Sequence, residues 1–216
     1  MNMTKTRPQK RSAGRPEAGS GDKQADIIEA TLSILRTTHP DAVTVIEVAR
    51  HAGVDPAMVR YYFKNKEGLF VAAAKTLMGR LLARATEIVQ GEGEIGPKIQ
   101  ERLKGMLTIL VENPFLHTLL NRVYSSESAE GRQLMADVNG RSMVLMGDLL
   151  RARPGDPVRA IDPRILQCAL IGLSEVLLNA RPLIEYMFGV EADSQDFVDR
   201  YAAAMADLLL RGLAPG

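Results

Sequence analysis

Between Pro56 and Lys66 the chain reads PAMVRYYFKNK. The donors in this stretch suit a polyanion. Arg60 carries a planar fork of N–H groups that fits guanine O6 and N7 or, equally, phosphate oxygens. The hydroxyls of Tyr61 and Tyr62 can donate to phosphate while their rings pack beneath, although Tyr62 also has the character of a core residue. Lys66 stands where a new helix should begin, and free amides and the helix dipole already favour an anion there. Ala57 and Met58 offer apolar contact to a thymine methyl. No comparable set speaks for catalysis. The chain shows no nucleophile beside a base, no phosphate-cradling glycine loop and no paired carboxylates. His39, His51 and His117 do not fall at metal-ligand spacing. The expectation is therefore no catalytic residue, no metal and no cofactor.

Something must present these donors on a rigid face. The preceding stretch, ARHAGVDPAMV (49–59), meets the three demands of two helices crossing steeply over a short turn. A small residue is needed where the backbones approach, and Ala49 supplies it. The turn needs a residue that accepts positive φ, and Gly53 does so without strain. The second helix must bury an apolar side chain against the first, which falls to Val59. Val48, Ala52, Val54 and Tyr62 occupy the remaining core positions. This is the spacing of a helix-turn-helix with 56–62 as its recognition helix, and also of an αα-hairpin inside a larger bundle.

The rest of the chain supplies the setting. Its 216 residues are 46% hydrophobic and 25% charged, with few aromatics, which suits a helical protein with a large core. No apolar run nears the ~18 residues of a membrane span, and the basic N-terminus lacks a secretory h-region. Cys168 is the only cysteine, so no intrachain disulfide forms; it reads as a small buried hydrophobe. A cytoplasmic protein is expected. The net charge of +1 hides an asymmetry: residues 1–70 carry 11 basic and 8 acidic side chains, the remainder 16 and 18. A basic head on a mildly acidic body again points to a polyanion partner at the N-terminal end.

Periodicity predicts an all-α fold of about nine helices. Residues 1–21 read as a disordered basic arm, 22–70 as a helix-turn-helix domain and 71–216 as a helical body. Asp22, Thr44 and Asp55 are expected N-caps, with Pro56 at the first position of the third helix. A fourth helix starts near Lys66, with the capping box absent because Gly68 stands where Glu would be favourable. GEGEIGP (91–97) is a break. Asp162-Pro163 starts a long apolar helix to about Asn179, Pro182 kinks or restarts it on to Phe188, and Gly189 stops it. A last amphipathic helix spans about 194–213.

The segment from Thr44, TVIEVARHAGVDPAMVRYYFKNKEGLF, resembles the N-terminal DNA-binding domain of the tetracycline-repressor (TetR) family of transcriptional regulators. The resemblance rests on Thr44, Val48-Ala49, AGV at 52–54, Tyr62-Phe63 and Lys66-Glu67 before Leu69, and covers roughly residues 22–72. It implies that Pro56, Ala57, Met58 and Arg60 face base edges and that Thr44, Tyr61, Tyr62 and Lys66 hold phosphates. Many family members carry Tyr at the position of Arg60 as a phosphate contact, so Arg60 reads a base or grips a phosphate. In the arm, Arg11 and Arg15 (the latter in Gly14-Arg15-Pro16) either enter a narrow minor groove or form a solvated basic tail.

The resemblance also implies a homodimer through the last two helices, about 162–188 and 194–213, on a palindromic operator with half-sites about 34–36 Å apart. ILQCALIGLSEVLL is apolar on more than one face, as such a role requires. Met106, Leu110, Phe115, Leu119, Met143 and Met146, with Met135 and Leu107 alongside, suit either an adaptable pocket for an unidentified small effector or ordinary gap-filling. His117, Arg122, Tyr124 and Arg181 are polar candidates to orient a ligand, or surface and cap residues. The leading expectation is a dimeric repressor released by a small, largely apolar ligand. The alternatives are a DNA-binding protein of the same fold controlled by a protein partner, such as a chromosome-organising factor, and, least supported, a helical enzyme.

Overall fold

The computed structural model describes residues 20–125, 128–151 and 161–213. The expected arm, with Arg11 and Arg15, lies outside them. Among the described residues there are ten helices and no strand. α1 (Ser20–Leu35), α2 (Val45–His51) and α3 (Pro56–Phe63) form a head, and α4 (Lys66–Gln90) leaves it as a 25-residue shaft, about 37 Å long at 1.5 Å per residue. The body comprises α5 (Ile95–Glu112), α6 (Leu116–Ser125), α7 (Ala129–Leu150), α8 (Pro163–Asn179), α9 (Arg181–Phe188) and α10 (Gln195–Leu213). None of the described helices is long and apolar enough to cross a membrane.

The head folds as its local chemistry dictates. Thr44 Oγ1 accepts the Glu47 amide at 3.1 Å and Asp55 Oδ1 the Ala57 amide at 2.7 Å, so both short helices begin with satisfied amides. Gly53 turns between them at φ +64°. Ala49 is fully buried at the crossing, and Val48 and Val59 close the core with Phe63, Leu69 and Phe70. Asn65 Oδ1 accepts the Gly68 amide at 2.9 Å, which supplies one half of a capping box at the start of α4.

Two cores share the shaft. Leu69, Phe70 and Ala74 of α4 belong to the head, while Met78, Leu82, Ala85 and Val89 belong to the body. The boundary expected at 70–71 therefore falls inside a continuous helix. α6 is shared too: Leu119 and Val123 complete the head core, and Leu120 touches both.

The structure corrects four expectations. Helix α1 starts at Ser20, so Asp22 lies in its first turn instead of capping it. Helix α5 starts at Ile95, so the break at 91–97 is shorter than GEGEIGP suggested; Pro97 is tolerated in a first turn, where its missing amide has no helical partner. The apolar helix from 162 ends at Asn179, as expected, and at Pro182 the chain restarts instead of kinking, so the expected count of nine helices is one short. The break is at Ala180 (φ −103°, ψ 9°), and α9 begins afresh with Pro182 in its first turn. Cys168 is exposed. Helix α8 buries Leu166, Leu170, Ser174 and Leu177 along one stripe, and Cys168 falls on the opposite side. As expected, Gly189 ends α9 in the left-handed conformation, at φ +64°.

Candidate nucleic-acid interface and body cavity

Helix α3 has an inner and an outer face, four residues apart in period. Val59 and Phe63 point inward, while Ala57, Arg60 and Tyr61 are exposed. Tyr61 is 81% exposed, its ring edge-on to Tyr62 at 5.2 Å. The Arg60 side chain has no hydrogen-bond or ion-pair partner among the described residues, while its carbonyl accepts the Lys64 amide that closes the helix. Pro56 and Met58 are half-buried. Tyr62 is half-buried and packs against the head core, so its ring is structural whatever its hydroxyl does. Thr44 is exposed at the start of α2, its oxygen engaged as the cap and its O–H free to donate outward.

Lys66 is less free. Its Nζ donates to the Asp41 carbonyl at 2.9 Å and lies 5.4 Å from the Phe70 ring centroid. Burial first, and the Arg122 charge second, hold its ammonium below the ordinary lysine range. Arg122 is the hub of this corner. It grips Glu67 through Nε at 3.1 Å and Nη2 at 2.6 Å, reaches Asp41 through Nη1, and stacks over Phe70 at 5.3 Å. The hydrogen bond to Glu67 is the main cause that raises its pKa. A residue of α6 thus ties together the α1–α2 loop and the first turn of α4.

The second feature is a cavity of about 180 Å³ enclosed by α4, α5, α6, α7 and α8. Its walls are mostly apolar, including Met78, Leu82, Met106, Ile109, Leu110 and Leu120. Of the expected pocket residues, Met106 and Leu110 line it and the other four do not. Leu119 turns into the head core, Met146 is fully buried in the body core and Met143 packs against that core. Phe115 meets the His39 ring edge-on at 5.4 Å. The short helix α6 explains part of the miss: Leu116, His117 and Leu120 face the cavity, while Leu119 and Val123, on the next stripe, face the head. Among the polar candidates, His117 lines the cavity and its Nδ1 pairs with Glu175 Oε1 at 2.7 Å. Arg181 instead pairs with Glu185 and Asp193 at the α9–α10 junction, and Tyr124 is exposed.

Arg102 escaped the sequence reading. It lines the cavity, is only 6% exposed, and its Nε and Nη1 find no acceptor among the described residues. Burial pulls its pKa down to about 10. The signal was present in the sequence: Arg102 interrupts the apolar stripe Ile95, Ile99, Met106, Ile109 at helical spacing. Lys98, one turn earlier and equally buried, shows the ordinary solution. Its Nζ donates to the carbonyls of Val89 at 2.8 Å and Gly91 at 2.5 Å, and so caps the end of α4.

Comparison with known proteins matches the head to one family. The model of the bacterial regulatory proteins of the tetR family fits residues 27–73, the span from α1 into α4 that holds the whole helix-turn-helix. The head is a TetR-family DNA-binding domain. The chain is 40% identical over 55 residues to the HTH-type transcriptional regulator BetI of Rhizobium meliloti, covering 26% of this chain and 27% of that one. It is 28% identical over 131 residues to BetI of Pectobacterium atrosepticum, covering 50% and 67%. The match thus spans about a quarter of the first relative's length and about two-thirds of the second's. Among solved structures, the transcriptional regulator FadR of Bacillus subtilis, in complex with stearoyl-CoA, superposes with a TM-score of 0.67. At 17% identity, over 88% of this chain and 99% of that one, the likeness is one of fold. The TetR-type architecture, an N-terminal helix-turn-helix on an all-α body, therefore extends over nearly the whole chain.

Proposed function

We propose that this chain is a dimeric repressor that leaves a palindromic operator when a small molecule fills the cavity. The observation that carries the reading is the double use of α6. Leu116, His117 and Leu120 wall the cavity, while Leu119 and Val123 belong to the head core and Arg122 ties the head's first loop to α4. A ligand that moves α6 or the shaft α4 by a fraction of a turn therefore moves the head. A differential affinity of a few kcal/mol between the two arrangements suffices to shift the population.

In this reading Ala57, Met58, Arg60 and the edge of Pro56 meet base edges. Thr44, Tyr61, the hydroxyl of Tyr62 and Lys66 take phosphates, and Lys66 turns from the Asp41 carbonyl or shares its remaining two protons. Arg11 and Arg15 extend along the minor groove. Dimerisation uses α8, α9 and α10. Ile165, Val176, Leu183, Met187, Phe188 and Leu208 are exposed apolar residues on these helices, and apolar side chains exposed in such number suit a surface that meets a partner. A second copy covers them and sets the two recognition helices about one DNA turn apart. That FadR holds stearoyl-CoA supports a largely apolar effector in a body of this fold.

The deciding experiment is selection of bound duplexes from a random DNA pool by the purified protein at about 150 mM salt, where non-specific phosphate binding is weakened. Enrichment of a palindrome with half-sites one turn apart is expected. A folded, dimeric protein that enriches nothing, both before and after unfolding and refolding to strip bound effector, would refute operator binding. The same face of α8–α10 would also serve a regulatory protein partner. A monomeric mass in solution would favour that second reading.

A further inference from the structure

The cavity carries a chemical specification in its walls. A guanidinium that is nine-tenths buried ordinarily has a carboxylate or several carbonyls against it. Arg102 has none: no acidic side chain and no acceptor for its Nε or Nη1 among the described residues, although Lys98 on the same helix is fully provided with carbonyls. The one carboxylate of the wall, Glu175, is already held by His117 at 2.7 Å. Gln167 also lines the cavity, and its Oε1 is buried without a donor. An amide turned end for end would place its NH₂ there instead, as a second donor. Most of the remaining wall is apolar; its other polar residues are Arg84, which is exposed, and Asn139, Ser142 and Ser174.

We propose that the cavity takes a small aliphatic monocarboxylate, its head group on the Arg102 fork with the Gln167 amide as a second donor, and its chain along Met78, Leu82, Met106 and Ile109. The proposal rests on the reading of the cavity as the effector site and specifies that effector's chemistry. One buried unpaired cation calls for one negative charge. A neutral apolar ligand would leave the buried guanidinium unpaired, and a cation would repel it. The bidentate match of guanidinium and carboxylate gives the site its selectivity.

The test uses the full chain and three probes of one length: octanoate, 1-octanol and octylamine. Affinities are measured by calorimetry and operator release is followed in parallel on the selected duplex. Octanoate should bind at least roughly tenfold more tightly than 1-octanol, the return on one charge-assisted hydrogen-bonded contact, and octylamine more weakly than either. In Arg102→Met the advantage of octanoate over 1-octanol should vanish while 1-octanol still binds. Arg102→Lys, which keeps the charge and loses the fork, should retain a reduced preference and guards against a misfolded Met variant. Equal binding of octanoate and 1-octanol, an octanoate advantage that survives Arg102→Met, or no binding by any probe would each overturn the assignment. Binding and operator release by 1-octanol alone would overturn it and leave the effector reading standing. Arg102-dependent octanoate binding without operator release would keep the assignment and remove the effector reading.

Discussion

The head and the body of this chain solve the problem of burial in opposite ways. In the head, Ala49, Val48, Val59 and Phe70 fill the interior, the caps at Thr44, Asp55 and Asn65 satisfy the amides, and the charges of Arg122 are spent on Glu67 and Asp41. The body keeps a void and, beside it, a cation without a partner among the described residues. A fully packed head is a rigid gauge for one spacing of contacts. A body with an unmet electrostatic demand has a second, more stable arrangement available as soon as something meets that demand. Under the proposed function, the division gives a fixed reader and an adjustable sensor on one shaft.

Truncation is the sharpest way to break this contrast, because it should act with opposite sign in the two regions. Phe70→Ala removes a fully buried ring that also underlies Lys66 and Arg122. Denaturant unfolding should show a loss of about 3–5 kcal/mol, and a loss under 1 kcal/mol would show that the head is not tightly packed. Arg102→Met, by contrast, exchanges an unpaired buried cation for an apolar side chain of similar length. The depression of its pKa from 12.5 to about 10 marks the charge as held at a penalty of roughly 3 kcal/mol at neutral pH. The ligand-free variant should therefore gain about 1–4 kcal/mol in the same measurement. If it loses stability, Arg102 has a structural partner and the contrast between the regions fails.

How much of this was legible in the sequence follows the same division. Ala49, Gly53 and Val59 are constrained by a turn of a few residues, and steric rules at that range need no knowledge of the rest of the fold. The void in the body depends on the rotation and register of five helices. Helical spacing could mark Leu119, Met143 and Met146 as apolar-face residues but not say which neighbour each face would meet. Cys168 went wrong for a related reason: α8 is apolar on two sides, and only packing against α5 and α7 decides which side is inner. Pro182 was legible as a disturbance, but whether the helix kinks or ends depends on the backbone at Ala180. Arg102 could have been found, as a charge on an apolar stripe. What the stripe alone cannot supply is whether such a charge finds a partner, as Lys98 does, or does not.

On the reader's outer face the expected effects are smaller and bear on DNA instead of folding. Arg60→Ala should leave stability within about 0.5 kcal/mol, since the residue is exposed. If Arg60 reads a guanine, the selected duplexes should lose preference at one position per half-site, by about 1–3 kcal/mol. A loss of affinity spread evenly over all sequences would assign Arg60 to the phosphate backbone.

Tyr61→Phe gives the finest cut. The ring is 81% exposed and rests edge-on against Tyr62, so removing the hydroxyl leaves the packing of α3 untouched. The phenylalanine variant still stacks, still excludes the same water and still presents the same helix, and differs only by one O–H donor. If that hydroxyl meets a phosphate, operator affinity should fall by about 0.5–1.5 kcal/mol, the net value of one hydrogen bond, and equally on every duplex tested. The salt dependence should not move, because a neutral donor displaces no counterion. This separates it from a loss of Arg60 or Lys66 on the backbone, each of which would lower the slope by about one. Unchanged affinity would place Tyr61 outside the contact and narrow the phosphate-holding set to Thr44, Tyr62 and Lys66.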